Sequence, residues 1–200
     1  MKWLAWIPQT HFISCTAVGM SDLDVSKENK PRRLEENDEI VTYLCSLDEQ
    51  LSREGLEPSD FEVLVDNVLS EIKTRTASAA SDRRTNSTIE KLILVSSVTQ
   101  LLTCMKMFTP YVIFLARNRF SSHLMQSVLA RMGYLLKSGE GYGSDTLDEA
   151  QICSVTLAFV EPLFQEFNWL VKDICASHVL RSCVSLLAGI PCIAEKKVTI

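Results

Sequence analysis

The sequence predicts an all-α fold, a short helical-repeat solenoid, and three observations support that prediction. Apolar residues recur at helical spacing along most of the chain, whereas no stretch alternates convincingly with the period of two that marks a strand. The 200 residues include only 7 glycines and 6 prolines, and 46% are hydrophobic, which is enough for one domain with a sizeable core. Three segments also resemble one another, as expected of stacked repeats.

Residues 1–34 are expected to be a disordered or weakly ordered leader. A signal peptide is an alternative for the first twenty residues, because Lys2 precedes an apolar run. That run is interrupted by Pro8 and the polar residues after it, which favours an unstructured or partly packed segment. Residues 21–36 are polar and charged and are interpreted as a linker.

Two helices are predicted before the repeats. Residues 38–54 place aliphatic side chains at helical spacing, and Gly55 and Pro58 end that helix. Ser59 and Glu62 stand three residues apart, as in a capping box, at the start of a second helix with one apolar face.

The next helices are predicted from their start signals. The small polar residues 76–85 are interpreted as a turn, and a helix opens at Ile89. A helix at 97–108 follows, and Thr109 with Pro110 fits an N-cap followed by proline at the first helical position. A short helix then runs to Ala116, and a longer one spans 119–137.

A glycine-rich segment at 138–144 is expected to be a flexible insertion, reaching about residue 148. It lacks the Lys-Ser/Thr pair and the preceding strand that a phosphate-binding loop needs. Thr146 and Glu149 repeat the capping-box spacing before a long helix, and a last helix at 174–188 ends at Gly189. The predicted organisation is a leader (1–34), helical repeats (35–190) and a tail (191–200).

Charge is distributed unevenly along the chain. The net charge is −5, but residues 35–62 hold ten acids and one base, whereas residues 83–137 hold eight bases and one acid. Local charge sets the field that a polyanion feels, so the second segment favours nucleic acid. The alternative is a set of solvated helix faces that balance each other.

Several kinds of site are not expected. The seven cysteines include no C-x-x-C pair, so reduced buried thiols are a simpler account than zinc. Leu92–Met107 is apolar but broken by polar residues, so no bilayer span is predicted outside the leader. We expect no metal, no cofactor, no membrane and no small-molecule substrate.

The three similar segments are DRRTNSTIEKLI (82–93), NRFSSHLMQSVL (118–129) and DICASHVLRSCV (173–184). Ser122 follows Asn86 by 36 residues and Ser177 follows Ser122 by 55, so the second spacing contains an insertion of 19 residues. The excess falls around the glycine-rich segment. A period in this range with one insertion is typical of a solenoid.

These segments resemble the RNA-reading helices of Pumilio repeats, and the chain resembles the N-terminal portion of the nucleolar protein nine family. The resemblance rests on FEVLVDNVLSEI (61–72), EKLI (90–93), RFSSHLMQSVL (119–129) and ASHVLRSCVSLLAG (176–189), and it covers residues 34–190. It implies a right-handed Pumilio/armadillo-like superhelix, a nuclear and nucleolar location, and small-subunit rRNA processing in ribosome biogenesis. Implied partners are RNA, as single-stranded or structured pre-rRNA, and pre-ribosomal proteins.

The predicted RNA-binding residues form three triplets. They are Asn86, Ser87 and Glu90; Ser122, His123 and Gln126; and Ser177, His178 and Arg181. Residues four apart share a helix face and can reach one base edge, and the residue between them can stack on the base. By the resemblance, the second triplet corresponds to adenine and the third to cytosine. The first lacks a stacking ring and is expected to contribute little, and a one-residue shift would put Ser87 and Lys91 at its reading positions.

Phosphate contacts are assigned to three basic residues, Arg117, Arg119 and Lys137. Such contacts add affinity without sequence preference. The runner-up function is a helical scaffold of the armadillo or HEAT kind that binds proteins. An isolated Ser-His-Leu on a helix is usually structural, but an armadillo-like scaffold has no reason to place two reading triplets equivalently.

No enzyme activity is expected. Neighbouring Ser and His residues on a helix point about 100° apart, which prevents the hydrogen bond that a Ser–His nucleophile needs. About three repeats are few for sequence-specific binding, so a truncated chain with an exposed apolar end after Ile190 is a further expectation.

Overall fold

The computed structural model describes residues 31–35, 38–51, 58–138 and 148–190. Within these ranges every regular element is helical, as the sequence predicts. The helices are α1 (Glu39–Leu51), α2 (Pro58–Ile72), α3 (Thr76–Ser81), α4 (Arg83–Val95), α5 (Val98–Phe108), α6 (Val112–Arg117), α7 (Ser121–Ser138), α8 (Glu149–Gln165), α9 (Phe167–Leu170) and α10 (Ala176–Leu187), with a 3-10 turn at Thr109–Tyr111.

The helices repeat in the order short, inner, outer. The units are α3–α4–α5, then α6–α7–α8, then α9–α10, with α1 and α2 before them. Helices α1, α4, α7 and α10 pack side by side as an inner row, and α2, α5 and α8 pack as an outer row. The core lies between the rows and includes Leu101, Met105, Met125 and Phe159, all fully buried. The repeating unit is therefore a group of three helices.

The segment 76–85 is helical, so its interpretation as a turn was wrong. Helix α3 occupies Thr76–Ser81, and α4 begins at Arg83 rather than near Ile89. Six residues cannot form a stable helix alone. Here Ala79 and Ala80 are fully buried, and α3 packs against α4, α5, α6 and α7. Alanine fits this crowded position and keeps the highest helix propensity.

Thr109 is not an N-cap, which corrects a second prediction. Its φ and ψ of −49° and −46° are helical, and its hydroxyl donates to the Met105 carbonyl at 2.8 Å. The chain thus stays helical from α5 through the 3-10 turn into α6. Pro110 is tolerated because it stands at the start of that turn, where its missing N–H costs nothing. The start of α5 is instead capped by Ser97, in a reciprocal box with Gln100.

The run Val98–Arg117 is long and apolar enough to cross a membrane by length and composition, and half of it is buried inside the fold. Leu101, Leu102, Cys104, Met105 and Phe108 all lie in the core. Burial among neighbouring helices accounts for the apolar composition of this run.

The insertion lies inside the second unit, between α7 and α8, and both of these helices are longer than their equivalents in the first unit. Helix α7 has 18 residues against 13 in α4, and α8 has 17 against 11 in α5. Residues 139–147, which include the predicted Thr146 cap and most of the glycine-rich segment, lie outside the described residues. Asp148 caps α8, its side chain accepting from the Ala150 amide at 3.2 Å.

Residues 31–34, assigned above to the leader, pack against the first unit. Leu34 is 5% exposed. The Ser78 hydroxyl donates to the Arg32 carbonyl at 2.6 Å, and the Arg84 guanidinium to the Leu34 carbonyl at 3.4 Å. The rest of the predicted leader, residues 1–30, and the predicted tail, residues 191–200, lie outside the described residues.

The last helix ends as predicted. Gly189 has a φ of +66°, a conformation that favours glycine. The Gly189 amide donates to the Leu186 carbonyl and the Ile190 amide to the Ser185 carbonyl, which is a Schellman motif.

Candidate nucleic-acid interface

Three inner helices, α4, α7 and α10, carry the predicted reading triplets, and each begins after an equivalent capping residue. These capping residues are Asp82, Asn118 and Asp173. Asp82 accepts from the Arg84 amide at 2.8 Å. Asn118 accepts from the amides of Phe120 and Ser121 at 2.9 and 3.2 Å, and Asp173 accepts from those of Cys175 and Ala176 at 2.9 and 3.0 Å.

Backbone bonds confirm that the capping residues are equivalent. The carbonyls of Asp82, Asn118 and Asp173 accept from the amides of Asn86, Ser122 and Ser177, at 3.0, 2.9 and 3.0 Å. Counted from the capping residue, these three residues stand at position +4, the stacking residues at +5, and Glu90, Gln126 and Arg181 at +8. Asn86, and not Ser87, is thus equivalent to the two serines.

The three helices lie parallel and in step. Glu90 at +8 accepts from the hydroxyl of Ser127 at +9 on α7, at 2.7 Å. Further along both helices, the Arg131 guanidinium at +13 donates to the Ser96 carbonyl at +14, at 2.9 and 3.1 Å. Arg117, just before the capping residue of α7, contacts Asp173, the capping residue of α10, and near the other ends of these helices Gly133 approaches Leu186. Equivalent positions therefore line up across the row.

The second triplet presents its ring and its amide. Ser122 is 3% exposed, with its hydroxyl 3.5 Å from the Arg119 carbonyl. His123 is exposed, and Gln126 is half-buried, donating to the Ser122 carbonyl at 3.0 Å. The Gln126 amide, through its oxygen and the second hydrogen of its NH2 group, and the histidine ring are the groups that this triplet can offer to a base.

The third triplet is the most open. Ser177 is half-buried and donates to the Ile174 carbonyl at 3.2 Å. His178 and Arg181 are both exposed, and the Arg181 guanidinium contacts the His178 ring. A guanidinium held beside a ring, one turn apart on the helix, can meet a base edge while the ring meets the base face.

The first triplet is engaged within the protein. Asn86 is 8% exposed, and its amide donates to the Ala80 carbonyl at 2.8 Å. The Glu90 carboxylate accepts from Ser127, as described above. Ser87 is exposed but has no ring. A base contact by Asn86 or Glu90 would have to replace an internal hydrogen bond, which lowers the net binding free energy that the contact could contribute.

Three of the eight bases of residues 83–137 pair with acids of the described ranges. Lys91 pairs with Asp48 at 2.8 Å, and Arg84 pairs with Asp82 at 2.8 Å. Arg117 pairs with Asp173 at 3.2 Å and lies 4.5 Å from the centroid of the Trp169 ring. Arg119 is exposed and lies over Phe120, and Lys137 is exposed near the end of α7. Arg119 and Lys137 are thus the more open of the three predicted phosphate contacts.

The sequence reasoning did not single out Trp169. It is 38% exposed on α9, between the second and third reading helices. Its only sequence signal is that it is the one tryptophan outside the first six residues. Within the described ranges, no group of three or more His, Cys, Asp or Glu residues could hold a metal ion.

The capping aspartates have lowered pKa values. The side-chain hydrogen bond from Arg84 lowers the pKa of Asp82 despite its partial burial. Burial alone would raise the pKa of Asp173, but the Ala176 amide, the Arg117 guanidinium and the Cys175 amide outweigh it, so that the pKa is lowered. Both carboxylates are therefore better stabilised as anions in the folded protein than in the unfolded chain.

The fold is expected to lose stability below about pH 4. A carboxylate with a lowered folded-state pKa stabilises the fold above its unfolded pKa, about 3.9, and this contribution disappears as the pH falls through the folded value. Asp173→Asn should make the free energy of unfolding fall less steeply with decreasing pH below about pH 4. Asp173→Ala should lower the free energy of unfolding by about 1 kcal/mol at neutral pH, because the helix cap is lost. Urea unfolding at successive pH values tests both, with the exposed Glu161→Gln as control. An equally steep loss of unfolding free energy at acid pH in Asp173→Asn and in the parent would contradict the stabilising role of the Asp173 carboxylate.

Comparison with known proteins agrees with this geometry. The family model for the NOP9-like PUF repeat domain matches residues 75–200, starting one residue before α3. The chain is similar to Nucleolar protein 9 of Fusarium vanettenii, 27% identical over 168 residues, covering 77% of this chain and 22% of that protein. It is also similar to Nucleolar protein 9 of Meyerozyma guilliermondii, 23% identical over 152 residues, covering 74% of this chain and 22% of that protein. The chain thus spans about 22% of the length of these relatives.

Solved structures confirm the predicted helical-repeat fold. The structure of APUM23-GGAAUUGACGG matches with a TM-score of 0.69 at 18% identity, covering 79% of this chain and 28% of that one. The APUM23 structure with its insert region deleted, with the same oligonucleotide, matches with a TM-score of 0.69 at 19% identity, covering 79% of this chain and 29% of that one.

Proposed function

Because the chain belongs to the family of NOP9-like PUF repeat domains, we propose that the row α4–α7–α10 binds RNA and that α7 and α10 read its bases. One observation carries the proposal. The pairs His123–Gln126 and His178–Arg181 stand at the same cap-relative positions on parallel helices, and three of these four side chains are exposed. A ring beside a hydrogen-bonding group, repeated from helix to helix, matches a row of stacked bases read one by one.

Base preference follows from the two groups at +8. The Gln126 amide both donates and accepts, as an adenine edge requires, with Ser122 beside it. The Arg181 guanidinium only donates, so it suits a base edge that offers acceptors, such as the carbonyl of cytosine. Arg119 and Lys137 are exposed cations that attract phosphates, and Arg117 retains donor groups beyond the one used by Asp173.

The cellular role that we propose is binding of pre-ribosomal RNA in the nucleolus during small-subunit rRNA processing, together with pre-ribosomal proteins. The support is the similarity to relatives named Nucleolar protein 9. Single-stranded RNA is the favoured form, because stacking rings and base-edge groups need bases that are not paired.

Alanine variants at +8 test the reading helices. Gln126→Ala and Arg181→Ala are each expected to weaken binding of single-stranded RNA by roughly 5–30-fold, from the loss of about 1 to 2 kcal/mol of hydrogen bonding. Fluorescence anisotropy with a labelled oligoribonucleotide at low and moderate salt measures this. Base preference should relax at one nucleotide in each variant.

Lys106→Ala is the matched control, because Lys106 is an exposed cation on outer helix α5. Its loss should leave affinity nearly unchanged. Equal weakening in Lys106→Ala and Arg181→Ala would mean that Arg181 acts only through the net charge of the protein and makes no specific base contact. Unchanged binding in both Gln126→Ala and Arg181→Ala would exclude the reading-helix assignment and leave a helical scaffold.

A further inference from the structure

Trp169 is held in place at the junction between the second and third units. The Arg117 guanidinium lies 4.5 Å from the Trp169 ring centroid, and its Nε donates to Asp173 at 3.2 Å. The indole N–H of Trp169 donates to Glu166. Trp169 on α9 thus contacts Arg117 of α6 and Glu166 at the α8–α9 junction. Arg117 in turn connects it to Asp173, just before α10.

Arg117 lies over one face of the Trp169 ring, so the exposed remainder of the aromatic surface is the binding feature that these contacts leave. Its only polar group is already bonded to Glu166, so the 38% of the residue that stays exposed has no hydrogen-bonding need of its own. A ring oriented by two neighbours loses little conformational freedom when a planar ligand stacks on it. Asp173 uses only the Nε–H of Arg117, so the other guanidinium N–H groups beside the ring can still donate to a phosphate.

The position of Trp169 relates it to the reading surface. Asp173, which contacts Arg117, is the capping residue of α10 and lies four residues before Ser177. One hydrogen-bonded turn, in which the Asp173 carbonyl accepts from the Ser177 amide at 3.0 Å, therefore separates the Arg117–Asp173 contact from the third triplet. Lys172, directly before Asp173, and Arg119, directly after the capping residue Asn118, are both exposed.

We propose that Trp169 is a base-stacking platform for a nucleotide next to the one read by α10, with Arg117 binding the phosphate beside it. This inference rests on the proposed RNA-binding function and adds a contact outside the reading triplets. The surrounding cations favour RNA over an apolar protein segment, because the acids at the site, Glu166 and Asp173, already have partners. Stacking on an aromatic ring accepts every base, so Trp169 contributes affinity rather than sequence preference.

The emission of Trp169 reports stacking directly. The only other tryptophans are Trp3 and Trp6, so the full chain carrying Trp3→Phe and Trp6→Phe has Trp169 as its one tryptophan. Titration with a single-stranded oligoribonucleotide should quench this emission over the same concentration range in which anisotropy reports binding. This readout needs no substitution at Trp169 itself.

Affinity provides the second measurement. Trp169→Ala should weaken RNA binding by roughly 5–100-fold, the range expected for losing one stacked base, and Trp169→Phe should restore most of it. Phe167→Ala is the matched control, because Phe167 is a similarly exposed ring on α9 that stacks on Phe164 instead. Circular dichroism of each variant separates loss of binding from loss of fold.

The outcomes distinguish this inference from the proposed function. If RNA binds with unchanged Trp169 emission, and Trp169→Ala binds as tightly as the parent, the platform is excluded while RNA binding stands. A loss in Trp169→Ala that Trp169→Phe does not restore would also overturn stacking. If the parent binds no RNA, both proposals fail together.

Discussion

Leu129→Ala is expected to lower the free energy of unfolding by about 2–5 kcal/mol, the usual range for emptying a buried leucine site. Leu129 is fully buried at position +11 of α7, and its equivalent on α4, Ile93, is 3% exposed. Both lie within an inner row in which each reading helix packs on the next. Truncation leaves a cavity that the stacked helices cannot readily close, because each is held from both sides.

Leu187→Ala makes the same chemical change on the last reading helix and should cost little. Leu187 is 43% exposed, whereas its equivalent on α7, Met132, is fully buried. Val184, the equivalent of Leu129 on α10, is 50% exposed. Substitutions at exposed positions usually change stability by less than about 0.5 kcal/mol. The contrast between the two Leu→Ala variants thus isolates burial between repeats from loss of the side chain.

Urea unfolding followed by circular dichroism measures both variants. The midpoint should fall clearly for Leu129→Ala and hardly move for Leu187→Ala, with similar slopes if unfolding stays cooperative. Equal effects would mean that Leu129 does not lie between stacked repeats. A changed slope would indicate that the units unfold separately, as repeat proteins can.

The double variant His123→Ala/His178→Ala is expected to lose most of the RNA affinity. Each base stacked on a ring contributes about 1–3 kcal/mol, so two lost platforms weaken binding by roughly 30-fold or more. Each single variant should account for part of the loss, and the losses should add if each ring meets its own base. Anisotropy titration of single and double variants with one oligoribonucleotide measures this.

Two further variants separate stacking from other roles of histidine. His123→Phe/His178→Phe keeps the rings without their nitrogens, and should retain most of the affinity if the rings stack. His11→Ala removes the remaining histidine of the chain, which lies in the leader, and should have no effect. A phenylalanine double variant as weak as the alanine one would show that the ring nitrogens, and not the ring faces, make the contact.

The first reading helix illustrates why a local pattern is insufficient for assigning a site. Asn86 and Glu90 have the side-chain chemistry of a base reader and the correct spacing. Only the folded chain reveals that Asn86 is bonded to the Ala80 carbonyl and Glu90 to Ser127. The bond of Glu90 joins residues 37 positions apart in the chain, so no sequence window contains both partners.

The helical class, the three similar segments and the end of the last helix could be read from the sequence, because each depends on neighbours within a few positions. The reading helices are capped by Asp82, Asn118 and Asp173, whose side chains accept from amides two or three residues away. The spacing that aligns the triplets can therefore be recognised within a short stretch of sequence. Gly189 likewise acts through its own φ. Even the insertion could be located from the altered spacing alone.

Tertiary structure decided the rest. Helix α3 exists because four neighbouring helices bury its alanines, and a six-residue segment has too few internal hydrogen bonds to form a helix by itself. Two ion pairs reduce the exposed positive charge. Lys91 pairs with Asp48, 43 positions away in the chain, and Arg117 pairs with Asp173, 56 positions away. Those contacts depend on how the helices stack, and the stacking is set by the burial of side chains from many segments at once. Local helix propensity therefore cannot predict them.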